Sequence, residues 1–275
     1  MVQKIKIMQK NLTINLSKVW VGGLKKSQDG KVIYLKKDGK ENSVVSLRCH
    51  ISDEKPENKD LSESFWFDVP VKTGTLLSLK EKGLDISEGH KKPLDILVSL
   101  SQAVMQIDDK HTKVYYKPSR LITVYESNKD SRKQELNYTR KTKGEYNPLV
   151  TIRGLVYFGK QNKKDGSEVR LNEHTGLIRF VCNPSSTEKE AIPELEATWL
   201  SISLNDNNKE ILDNLENHAF TNVVCRMYHT TVKEGEYENK YFAFSDLQEI
   251  SKIVAKPKET ASIDQVAIDD SDLPF

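Results

Sequence analysis

Three blocks of this sequence recur in the same order further along the chain, and that recurrence limits the fold to a duplicated architecture. VVSLRCH (44–50) lies over LIRFVCN (177–183), with Cys49 on Cys182 at an offset of 133 residues. SFWFDVPV (64–71) lies over ATWLSISL (197–204) at the same offset, with Trp66 on Trp199. Upstream, WVGGLKKSQDG (20–30) lies over VYFGKQNKKDG (156–166) at an offset of 136, with Gly23 on Gly159. A short insertion or deletion reconciles the two offsets. Matching blocks in a fixed order mark two copies of one domain.

Each copy carries the same series of elements. LTINLSKVWV (12–21) and LVTIRGLVYF (149–158) read as long first strands, rich in β-branched and alternating apolar residues. A DG turn, a strand with the cysteine and a strand with the tryptophan follow. Next come short helical stretches, TGTLLSLKEKG (73–83) and NNKEILDNLENH (207–218). ILVSLSQAVMQI with KVYYKPSRLITVY closes the first copy, and TNVVCRMYHTTV with KYFAFSDL the second. Three strands, a helix and two strands is the order of the OB-fold, a five-stranded Greek-key barrel. The expected fold is therefore all-β with short helices: two tandem OB-folds followed by a disordered acidic tail. The expected boundaries are 1–126 and 148–253 for the barrels, 127–147 for a basic polar linker and 254–275 for the tail.

Alternation along the strands separates an inner face from an outer one. Phe65, Phe67, Val69 and Val71 share one side, as do Thr198, Leu200, Ile202 and Leu204; this is the barrel interior. Trp66 and Trp199 then point outward, with Arg48 and His50 on the neighbouring strand of the first copy and Arg179 and Asn183 in the second. An outward tryptophan suits packing under a loop or between the copies. It also suits a stacking platform, because an OB-fold binds oligonucleotides on its strand two and three face. Every base has a π-face, so such a ring grips a single strand without demanding a sequence.

Charge supports a polyanion partner only modestly. The net charge of +2 divides into −4 on residues 262–275 and +6 on the remainder. Lysines recur in the loop after each first strand: Lys25, Lys26 and Lys31 in one copy, Lys160, Lys163 and Lys164 in the other. Such residues neutralise phosphates, and they are equally at home in a solvated loop. The linker SNKDSRKQELNYTRKTKGEYN (127–147) is polar and basic by composition, with or without a role on a phosphate backbone.

Signals for catalysis are poor. His50, His90, His111, His174, His218 and His229 are scattered, with no zinc-type spacing and no phosphate-binding glycine loop. DEKPENK (53–59) offers carboxylates and a lysine but reads as a charged loop. No cofactor, no metal and no enzyme activity is expected. Cys49, Cys182 and Cys225 lack CxxC spacing and read as reduced residues of a cytoplasmic protein. MVQKIKIMQK lacks the apolar run of a signal peptide, and the uncharged stretch Ile96–Ile107 is too short to span a membrane.

The chain closes on IDDSDLPF (268–275), an acidic cluster before a hydrophobic tip. Together with ATWLSISLNDNNKEILDNLENHAFTNVVCRM, this ending resembles the single-stranded DNA-binding proteins of bacteria and their phages. In that family an acidic tip closing in Pro-Phe docks on replication, recombination and repair proteins. The resemblance implies the same for Asp269, Asp270, Asp272, Leu273, Pro274 and Phe275, with a polymerase, helicase or recombinase as partner. It covers mainly the second copy and the tail. Two barrels, a short segment before the tip and no Gly/Gln-rich stretch depart from the usual bacterial form. They point to a divergent phage or plasmid member, with a homodimer left open. RNA binding or protein interaction through an OB module is the alternative reading.

Overall fold

The computed structural model describes residues 5–52, 64–106, 112–134, 147–156, 161–162, 168–169, 177–182, 196, 198–203, 220–234 and 237–252. The first copy comprises β1 (Ile5–Leu24), β2 (Tyr34–Lys36), β3 (Val44–Ile51), β4 (Phe65–Lys72), α1 (Thr73–Glu81), β5 (Leu94–Gln106) and β6 (Thr112–Glu126). The second comprises β7 (Leu149–Val156), β8 (Gln161–Asn162), β9 (Glu168–Val169), β10 (Leu177–Cys182), β11 (Thr198–Ser203), β12 (Phe220–Glu234) and β13 (Tyr237–Lys252). The predicted second helix, 207–218, lies outside the described residues.

Both copies share one pairing scheme, all antiparallel. β1 pairs with β3 and β5, β3 with β4, and β5 with β6. In parallel, β7 pairs with β10 and β12, β10 with β11, and β12 with β13. A first strand shared between a three-strand meander and a closing hairpin, with α1 after the third strand, is OB topology. The all-β OB class read from the sequence is the observed one, with one helix among the described residues; the predicted tail, 254–275, lies outside them.

The copies are joined far more closely than two beads on a linker. β1 pairs with β7 at Ile14↔Ile152 and Asn15↔Thr151, and β13 meets β6 at Phe242↔Tyr116. Buried residues of both copies, from Leu12 and Phe67 to Leu200 and Phe242, form one contiguous core. Phe242 packs on Phe65 and Phe67, with ring centroids 5.9 and 6.1 Å apart.

Residues 127–134 take part in this junction. Gln134 is buried; its amide donates to the carbonyl oxygens of Ser17 and Leu149 and accepts from the Leu149 N–H, each at 3.0 Å. One side chain thus bridges the first strands of both copies. Arg132 makes a two-pronged pair with Glu249 at 2.8 Å, and its guanidinium holds the Glu249 carboxyl below the ordinary range. At least the first third of the segment read as a linker is therefore docked on the body.

A bulge in β1 decides what faces the solvent. Leu12, Ile14 and Leu16 are buried on even numbers, then Val19 and Val21 on odd ones. The parity changes at Lys18, whose φ of 58° is left-handed and whose N–H donates to Asp95 Oδ1 at 3.1 Å. Further on, Gly23 has φ 95°, and a Cβ there would meet backbone of Glu88 and Gly89 at 2.9 Å. Only glycine lets β1 turn under the 87–89 loop, which it grips through Leu24 N–H to Ser87 O at 2.9 Å.

Candidate nucleic-acid interface

The two central strands alternate as the sequence predicts. Phe65, Phe67, Val69 and Val71 are buried, as are Val45, Leu47, Cys49 and Ile51. Trp66 and Asp68 are half-buried on the other side, beside a half-buried His50 and an exposed Arg48. Pairing puts Trp66 opposite His50 and Asp68 opposite Arg48.

The outer face carries a row of three rings. His50 stacks on Trp66 with centroids 4.3 Å apart and planes 29° apart. Trp20, opposite His50 on β1, stacks on the far side of the imidazole at 6.3 Å and 12°. These spacings follow from neighbouring strands lying about 4.8 Å apart. Trp20 escaped the sequence reading. Plain alternation from Leu12 would bury it, and only the bulge at Lys18 turns it outward.

The row ends at a groove of about 770 Å³. Trp66 lines it, whereas Trp20 and His50 do not. Its cations are Lys25 and Arg48, Lys117 of β6, and Lys240 of β13, which comes from the second copy. Lys240 is exposed, and its Nζ donates to the Trp66 carbonyl oxygen at 3.3 Å. The predicted lysines are not all available. Lys25 pairs with Asp68 at 2.8 Å and Lys26 with Glu88 at 2.7 Å. Arg48, among the described residues, makes no ion pair. Lys117 and Lys240 carry no signal in the repeat: β6 packs beside β4 within the first copy, and the joining of β6 to β13 adds Lys240 to the same face.

Burial holds His50 below its ordinary value of 6.5, and its Nδ1 is shielded from solvent without a hydrogen-bond partner. A neutral ring stacks between two indoles without desolvating a charge, so His50 acts here as an aromatic spacer. Burial also pushes the Cys49 thiol up, which makes it an inert core residue. Among the described residues no cluster of His, Cys, Asp or Glu forms a metal site.

The second copy repeats this face in part. Trp199 stands opposite Val181, and Arg179 opposite Ser201. Since Ser201 lies over Asp68 in the tryptophan block, Arg179 holds the same register to Trp199 as Arg48 does to Trp66. Pairing therefore corrects the cysteine alignment by two residues: Phe180, not Cys182, takes the place of Cys49. A two-residue shift preserves the faces. The same register puts Val181 in the place of His50 and, through Val181↔Leu155, Leu155 in the place of Trp20. The three-ring row is thus a feature of the first copy. Lys160, Lys163, Lys164, the loop 53–59 and the tip residues Asp269, Asp270, Asp272, Leu273, Pro274 and Phe275 lie outside the described residues.

No family model matches this chain. No curated protein matches it either. Among solved structures it is similar to the single-stranded DNA binding protein from Thermus aquaticus, in a structure of a mutant and one of the wild type. A deletion mutant matches at 12% identity and TM-score 0.35, over 92% of this chain and 100% of that one. The wild type matches at 10% identity and TM-score 0.31, over 90% and 96%.

Proposed function

We propose that this chain binds single-stranded DNA with little sequence preference, covering it during replication or recombination. The observation that carries the reading is the Trp20–His50–Trp66 row, which ends at a cation-lined groove. A base entering the groove extends the row as a fourth ring, and stacking of this kind is worth about 1–3 kcal/mol per base. Arg48, Lys117 and Lys240 neutralise phosphates, releasing counterions and making affinity fall with salt. Duplex DNA hides its base faces inside the stack and cannot use the row. Trp199 and Arg179 extend the contact on the second copy. This is binding chemistry and needs no bond-making group.

The acidic tip supplies a second activity, recruitment of a polymerase, helicase or recombinase. Its aspartates steer it to a basic patch, and Phe275 supplies a ring to bury. As an anion it competes with DNA for the same cations, an effect screened by salt.

Fluorescence anisotropy with matched single-stranded DNA, duplex and RNA oligonucleotides tests the reading: the single-stranded DNA binds tightest. Equal affinity for duplex sinks it, and tighter binding of RNA replaces it with the RNA-binding alternative. Removing residues 268–275 leaves DNA affinity equal or slightly higher and abolishes capture of purified replication partners. Weaker DNA binding with no partner lost would assign the tail to the fold instead.

A further inference from the structure

We infer that the groove beside Trp66 is one composite nucleotide site closed by the second copy, with Lys240 and Lys117 holding the phosphate of the nucleotide stacked on Trp66. This rests on the single-strand reading above. His50 covers one side of the indole, so the incoming base must use the groove side. The wall across that groove is built from two elements: β6, through Lys117 and Pro118, and β13, through Lys240 and Phe242.

Lys240 is held there by structure rather than by chance proximity. Phe242, two residues along β13, is paired in backbone register with Tyr116 and packed against Phe65 and Phe67. Alternation puts Lys240 on the same face as Phe242, and its Nζ already reaches the backbone of Trp66 at 3.3 Å. Lys117 follows Tyr116 directly and lies with its Nζ 5.8 Å from the Tyr241 ring centroid. Both cations are therefore positioned by the β6–β13 junction. Lys25, the cation that the first copy offers from its own loop, is partly neutralised by Asp68. The first copy thus supplies the ring together with Arg48 and Lys117, and the second copy adds Lys240.

The test is the salt dependence of oligonucleotide binding in Lys240→Ala, Lys240→Arg and, as an unrelated surface control, Lys80→Ala on α1. Lys240→Ala should bind several-fold more weakly at low salt. The slope of log affinity against log salt should become shallower by about 0.7, the share of one phosphate on a single strand. Lys240→Arg should restore both, and Lys80→Ala should match the wild type. The inference is overturned if Lys240→Ala leaves the slope unchanged, including the case where affinity falls together with thermal stability, which would make Lys240 a packing residue. A wild-type protein that binds no single strand overturns the parent reading itself, and is told apart because no slope exists to compare.

Discussion

His50 lies over Trp66 with 4.3 Å between ring centroids, the two residues standing opposite each other on β3 and β4. The contact fixes Trp66 at the edge of the groove and leaves stacking on the other side as the way to lengthen the row. It also makes the two copies unequal, since Val181 and Leu155 hold the positions of His50 and Trp20 in the second.

That inequality predicts a ranking. Trp66→Ala should weaken single-strand binding by up to about 3 kcal/mol, and Trp199→Ala by less. The Trp66→Ala variant should stay folded, because Trp66 is only half-buried. Phe67→Ala should instead lower stability by about 3–5 kcal/mol, as an aromatic lost from the shared core. Titration and thermal melts separate the two effects.

Much of this face was legible before the structure. The alternation of Phe65, Phe67, Val69 and Val71 against Trp66 and Asp68 is a local, period-2 signal, and it survives folding unchanged. Trp20 was not legible, because its direction depends on the bulge at Lys18, whose N–H partner Asp95 is far away in sequence. Lys117 and Lys240 were hidden for a related reason: each is an ordinary strand lysine until β6 meets β4 on one side and β13 on the other. The segment after residue 127 looked like a linker because its residues are polar. A buried Gln134 that satisfies backbone groups of two strands is polar as well, and composition does not distinguish the two cases.

Asp68 restrains the groove. Its carboxylate neutralises Lys25 at 2.8 Å and presents an anion to an incoming phosphate. Asp68→Asn should therefore raise DNA affinity and steepen the salt slope by about 0.7, as Lys25 becomes available to one more phosphate. Unchanged affinity and slope would show that Lys25 does not face the bound strand.

Burial of His50 has a consequence for pH. Its folded pKa lies below the ordinary 6.5, so the unfolded chain binds the proton more readily. The corresponding stability is present above pH 6.5 and is lost as pH falls through the lower folded value. Melting temperatures between pH 7.5 and 5.5 should fall more steeply for the wild type than for His50→Gln. Parallel curves would place the pH dependence elsewhere.

Gln134 ties β1 of the first copy to β7 of the second. Gln134→Ala leaves the Leu149 N–H and two carbonyl oxygens without their partner in a buried setting, at a cost of about 1–3 kcal/mol for an unsatisfied group. A denaturant titration reads this loss. No change in midpoint would mean that water replaces the amide.

All three tryptophans of the chain, Trp20, Trp66 and Trp199, are assigned to the DNA-binding faces, so intrinsic fluorescence reports on the central claim directly. Adding single-stranded oligodeoxynucleotide should quench the emission saturably, duplex of the same sequence should quench it far less, and Trp66→Ala should lose much of the signal and the affinity. Equal quenching by duplex, or a Trp66→Ala variant that binds single strands like the wild type, would contradict the account.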